Sequence, residues 1–255
     1  MTPVLDSELL KLRSVRSTTY LLLAIALTLV VGSLVSYLMT ADWDTATPER
    51  QQQFDSADPT VVLLPFGQFC LGVLGALAIT AEHGSGMIRP VLIGVPRRRA
   101  LLLAKTTVVT GVSLVVATVA GLIAYASGEL ITGDRPEPIS VYASFGDAVP
   151  TLLANTASMV VVALVGLGLG LLIRSTAGTL VTLCGLLFVL PVVAMLLPAP
   201  WGERMYAVML PVLPHLLTSD DPNATLSPPG AGLVMIAYLV IALGAGGIAF
   251  TRRDA

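Results

Sequence analysis

Six apolar runs of twenty or more residues constrain this chain more than any other feature. They cover Thr18–Met39, Val61–Ala81, Ala100–Ala126, Val149–Ile173, Ala177–Leu197 and Ala231–Phe250, with lengths of 22, 21, 27, 25, 21 and 20 residues. A bilayer core of about 30 Å needs about 20 helical residues, so each run is long enough to span one. In lipid a backbone must satisfy its own hydrogen bonds, which leaves helices or closed barrels, and these runs lack the period-two alternation of barrel strands. The chain reads as an all-α integral membrane protein with six transmembrane helices in a single domain.

Composition agrees. Hydrophobic residues make up 55 % of the 255 residues and charged residues only 12 %, about half the charged share of a soluble domain. No basic domain is present, so a nucleic-acid partner has no electrostatic footprint, and the lipid bilayer is the expected surrounding. Cys70 and Cys184 both fall inside apolar runs, far from CxxC spacing, and read as small buried or lipid-facing residues rather than as a bridge or metal site. The first run is too long for the core of a cleavable signal and is expected to remain as a helix.

The Lys and Arg residues sort by side. Eleven (Lys11, Arg13, Arg16, Arg89, Arg97, Arg98, Arg99, Lys105, Arg174, Arg252 and Arg253) fall on one set of segments, and three (Arg50, Arg135 and Arg204) on the other, where most acids also lie. The positive-inside rule then predicts a multi-pass protein of the cell (inner) membrane with both termini cytoplasmic. Before the first span, Val4–Arg16 mixes Leu and Val with Asp6, Glu8, Lys11, Arg13 and Arg16. This predicts a cytoplasmic interfacial amphipathic helix over residues 1–17 that snorkels its basic side chains. Within the outer segment 198–230, Met205–Leu217 is apolar but short and broken by Pro211 and Pro214, which predicts a re-entrant or interfacial piece.

The chemistry-bearing patterns mostly exclude. An ATPase needs GxxxxGK(S/T), and neither Lys11 nor Lys105 sits in one. His83 and His215 fall on opposite sides of the predicted topology and cannot share a metal, so no metal site is expected, and Glu82-His83 reads as a surface pair. His83-Gly84-Ser85-Gly86 lacks a second histidine to serve as base and reads as a turn. Gly166 and Gly170 form a GxxxG pair that lets helix backbones approach, and Gly32 with Ser36, Gly72 with Gly75, and Gly244 with Gly247 read the same way. No charged residue is placed deep in a span, so an ion-coupling group is not evident. Gln68, Asn155 and Ser158 are the few polar groups able to line a path, or else to hydrogen-bond between helices.

The second cytoplasmic segment, residues 82–99 (EHGSGMIRPVLIGVPRRR), holds Met87, Ile88, Val91, Leu92 and Ile93 between charged ends. A positive-inside loop needs its arginines but gains nothing from five apolar residues. The pattern suits a short helix docking into a groove on a partner.

These stretches resemble the membrane-spanning permease subunit of ABC-2 type exporters, of the short actinobacterial kind. Glu8-Leu-Leu-Lys-Leu-Arg-Ser-Val-Arg-Ser-Thr is similar to the family's amphipathic N-terminal segment. Thr80-Ala-Glu-His-Gly-Ser-Gly-Met-Ile-Arg, with Val95-Pro-Arg-Arg and Lys105, resembles its signature between the second and third spans. Arg174-Ser-Thr-Ala-Gly resembles the tight hairpin before the fifth span, Leu213-Pro-His the outer motif, and Arg252-Arg-Asp-Ala the ending. His83 stands where an aromatic is common. The resemblance implies an ABC-2, type V exporter-like bundle that pairs with a second permease copy or a related permease. It also implies two copies of a separate ATP-binding subunit, which would carry the ATP and Mg, since this chain binds no cofactor of its own. The segment matching 82–99 would be the coupling element, with Glu82, His83, Gly86, Ile88, Arg89, Pro96 and Arg97 at the ATPase contact. The first and fifth spans, around Phe188 to Pro191, would face the partner permease and the path. The expected cargo is a hydrophobic or amphipathic drug, peptide or lipid. The bundle alone is also compatible with a non-transporting sensor or immunity scaffold, or with an ion-coupled secondary transporter.

Overall fold

The computed structural model describes residues 2–84, 98–219, 221 and 224–252, and among these every regular element is helical. In chain order they are α1 (Thr2–Ser14), α2 (Arg16–Thr45), α3 (Pro48–Gln51), α4 (Thr60–Gly84), α5 (Arg98–Thr132) and α6 (Phe145–Ile173). A second group follows: α7 (Thr176–Cys184), a π-helical turn (Gly185–Val189), α8 (Leu190–Leu196), α9 (Trp201–Ala207), α10 (Leu213–Leu217) and α11 (Pro228–Arg252). Six stretches are long and apolar enough to cross a membrane: α2, α4, α5, α6, the run Thr176–Leu196 and α11. Helix α2 runs six residues beyond Met39 and α5 six beyond Ala126, which carries each about 9 Å past its apolar run.

Local chemistry sets several boundaries. Asp58 caps α4 by accepting from Thr60 N–H at 2.8 Å. Arg174 ends α6 in the left-handed region, with φ at 58°, and its N–H donates to Gly170 O at 3.0 Å. This is an uncommon conformation for a side chain with a Cβ. One residue on, Ser175 caps α7 by accepting from Gly178 N–H, so two helices reverse within two residues. The fifth span is not one continuous α-helix, because the turn Gly185–Val189 adopts i→i+5 pairing just before Pro191.

Helices α4 and α6 form the centre. Buried residues make up 61 % and 67 % of their most apolar stretches, against 17–28 % for the other four spans, whose large apolar side chains face outward. Small residues set how close the two central helices lie. A Cβ on Gly75 would stand 1.9 Å from Ala163 O, and one on Gly166 2.0 Å from Gly72 O, so neither position admits a side chain. Gly170 meets Ile79 and Ala76 on the same seam. The opposite face of α6 receives α11 through Gly168 against Ala242 and Gly246. Gly32 lies against the backbone of Pro59, and Ser36 is buried one turn on. The pairing of Gly244 with Gly247 is not used as a notch. Gly244 faces open space, Gly247 lies against Leu102 of α5, and Gly246, on another face of the helix, makes the contact with α6.

At the end opposite α1, the segment 198–230 builds the two short helices α9 and α10. Leu210 and Leu213 are buried with Leu187, Val162, Ala231 and Met235 in a second apolar cluster. On the same side Arg135 binds Asp44 through both Nε (2.8 Å) and Nη2 (2.7 Å), strapping the α5–α6 connection to the overhanging end of α2.

Candidate functional site

Charges gather where α1 crosses the ends of α4 and α5. Glu82 lies two residues before the end of α4, and Lys105 lies seven residues into α5. Helix α1 lays Glu8 and Lys11, one turn apart, against both. Lys105 Nζ donates to Glu8 Oε2 at 2.7 Å, to Glu82 Oε1 at 2.8 Å and to Ala78 O at 2.8 Å. Lys11 Nζ donates to Glu8 Oε1 at 2.7 Å and to the same Glu82 Oε1 at 2.9 Å. The four side chains form a closed ring of alternating charge that ties three helices together.

The ring is buried. Side-chain exposure is 1 % for Lys105, 6 % for Glu8 and 7 % for Glu82, with only Lys11 open at 37 %. Removing such charges from water is costly, and the cost is offset only when every partner is present at good geometry. Here two cations meet two anions, and Lys105 directs a further bond to a backbone carbonyl. Burial works against the charged form of Lys11, but its hydrogen bonds to Glu8 and Glu82 outweigh this and hold its pKa above the ordinary lysine value. The ring provides no reaction chemistry. It offers a stiff connection between α1 and both helices that flank residues 85–97.

Three expectations are corrected by this arrangement. Glu82 and His83 are not a surface pair: Glu82 is buried in the ring, and His83 is half-buried with Nδ1 3.1 Å from Ile79 O. Lys105, counted among the cations of the cytoplasmic side, is fully buried within α5. Lys11 turns inward to carboxylates instead of snorkelling, and Glu8, assigned to the polar face of an interfacial helix, points into the bundle. The missed signal was a lone lysine five residues inside the apolar run Ala100–Ala126, which in such surroundings needs an anionic partner. Of the residues assigned to the coupling contact, Gly86, Ile88, Arg89, Pro96 and Arg97 lie outside the described residues.

The other polar candidates lie nearer the middle of the bundle. Gln68 Nε2 donates to Ser158 Oγ at 2.7 Å across the α4–α6 seam, both side chains being fully buried, and among the described residues Gln68 Oε1 has no hydrogen-bond partner. Asn155, about one turn away on α6, is half-buried beside Thr60 and Met159. Phe188, on the π-helical turn, packs tilted against Phe66 and edge-on against Phe69, with ring centroids 5.9 and 5.7 Å apart. The structure therefore brings Gln68 and Ser158 together and sets Phe188 in an aromatic group, while Asn155 joins neither. Cys70 is buried and Cys184 exposed, and neither is bridged. Among the described residues no group of His, Cys, Asp and Glu is arranged to hold a metal ion.

The sequence matches no curated protein. Residues 4–190 match the profile of a family described as ABC-2 family transporter protein, a stretch that takes in α1, the charge ring and the first four spans. The chain is an all-helical, multi-pass membrane protein that belongs to the ABC-2 transporter family, as a permease component.

Proposed function

We propose that this chain is the membrane-spanning subunit of an ATP-driven exporter, working with two copies of a separate ATPase and with a second permease. In this reading both termini are cytoplasmic, and residues 82–99 are the foot on which the ATPase pushes. Glu82, His83, Gly86, Ile88, Arg89, Pro96 and Arg97 transmit that push, and a hydrophobic or amphipathic compound moves outward.

The observation that carries this reading is the charge ring. Residues 85–97 connect α4 to α5 in sequence, and both of those helices are clamped to α1 through Glu82 and Lys105. A displacement applied to that segment must be shared by three helices, because separating them would strand a buried charge. The chain has no GxxxxGK(S/T) phosphate loop, so its energy must arrive through a protein contact. ATP must then favour one state of the bundle over the other by its differential affinity.

The test is co-purification followed by uncoupling. The tagged chain should bring a P-loop ATPase with it from its native membrane. Replacing Gly86 and Arg89 together should leave ATP hydrolysis running while transport falls at least tenfold. Unchanged transport in that double variant refutes the coupling assignment, and transport by the purified chain alone refutes the reading as a whole.

A further inference from the structure

The α1–α2 corner contains a cleft that borders the charge ring at Lys11 and Glu82 and extends beyond it along α2 and α4. It has a volume of about 280 Å³ and lies between α1, α2 and the end of α4. Its walls are apolar, with Leu12, Leu21, Leu74, Leu77 and Ala78 prominent, and its polar residues are Lys11, Ser17, Thr18 and Glu82. That size falls just below the usual range for drug-like ligands, about 300–1,000 Å³, and fits a single flexible chain. Along α4 the lining runs from Leu74 to Glu82, about 12 Å of helix, which is near the depth of one leaflet's hydrocarbon.

The polar residues also define the charge of an occupant. Residues 11–19 (KLRSVRSTT) hold Lys11, Arg13 and Arg16 and no acid. Lys11 Nζ has three N–H groups, of which Glu8 and Glu82 take two, and its side chain is 37 % exposed. Among the described residues nothing bonds the hydroxyls of Ser17 and Thr18, and α2 begins with Val15 as a cap that has no side-chain acceptor and with no acid in the first turn. Glu82 lies at the same end, but within the ring Lys11 and Lys105 balance Glu8 and Glu82, so the positive excess there comes from Arg13 and Arg16.

We propose that this cleft holds one acyl chain of an anionic phospholipid, whose phosphate sits against Lys11, Ser17 and Thr18 at the start of α2. A headgroup there competes with Glu8 and Glu82 for Lys11, so lipid composition would bias how firmly α1 is clamped. The site depends on the fold and charge of this corner and not on the identity of the cargo.

The experiment uses the full chain reconstituted in phosphatidylcholine vesicles with a trace of photoactivatable phosphatidylglycerol, and maps crosslinks by mass spectrometry. Labelling is expected on the α2 and α4 peptides carrying Leu21 and Leu77. Unlabelled phosphatidylglycerol should displace it about fivefold more effectively than phosphatidylcholine for each cation engaged. Ala81→Trp, at an exposed helical position on the rim, should abolish labelling while leaving the elution profile of the protein unchanged. Lys11→Gln should lower the headgroup preference about fivefold. Arg16→Gln, outside the ring, makes the same test if the first variant does not fold. Equal displacement by the two lipids, or unchanged labelling in Ala81→Trp, overturns the proposal.

Discussion

Lys105→Met is the most informative single substitution. It keeps the length of the side chain and the apolar packing of its stem but removes the ammonium at the centre of the ring. Three contacts are lost, to Glu8 at 2.7 Å, Glu82 at 2.8 Å and Ala78 O at 2.8 Å. Two carboxylates, 6 % and 7 % exposed, are left sharing Lys11. Breaking a buried pair by removing one partner costs about 3–5 kcal/mol, chiefly because the charge left behind remains desolvated. At about 2–4 °C per kcal/mol for a chain of this size, the midpoint of thermal unfolding in detergent should fall by about 6–20 °C. Limited proteolysis should at the same time cut within α1, since the helix loses its main anchor. The triple variant Glu8→Gln, Glu82→Gln, Lys105→Met removes the three buried charges and leaves only Lys11, which is 37 % exposed, so it should recover most of the loss. A midpoint within about 2 °C of wild type for Lys105→Met would refute the buried ring. A triple variant no more stable than the single one would refute stranded charge as the cause.

The remaining predictions follow from packing and titration. Gly166→Val and Gly75→Val should each destabilise by more than the usual overpacking cost of about 1–3 kcal/mol, because the obstacle is backbone on α4 or α6; monodisperse yield in detergent measures it. Gly244→Ala meets nothing within 4 Å and should be neutral or slightly stabilising in the same assay. The raised pKa of Lys11 means its ion pairs contribute fully below the ordinary value of 10.5 and are lost only as pH climbs through the higher folded value. The difference in melting midpoint between wild type and Lys11→Met should therefore stay constant from about pH 7 to about pH 9 and shrink only in stronger alkali. A difference that disappears near neutral pH would show that Lys11 is not held by Glu8 and Glu82.

Much of the architecture is written in one dimension. Hydropathy and run length set the number of spans and their helical class, since in lipid a segment must bond its own backbone. The sorting of Lys and Arg, and the missing phosphate loop, are likewise properties of residue type along the chain. Which helices occupy the centre is not. All six spans are apolar nearly all round, so periodicity names no inward face, and only the assembled bundle shows α4 and α6 seamed by Gly72, Gly75 and Gly166 while Gly244 points into open space. The charge ring is the clearest case. Glu8 and Lys105 are 97 residues apart, and their meeting depends on the rotation of α1 and α5 about their own axes, which local sequence does not encode. Tertiary packing brings them together because a lysine buried in an apolar helix end requires anions, and Glu8 and Glu82 are the carboxylates delivered within reach.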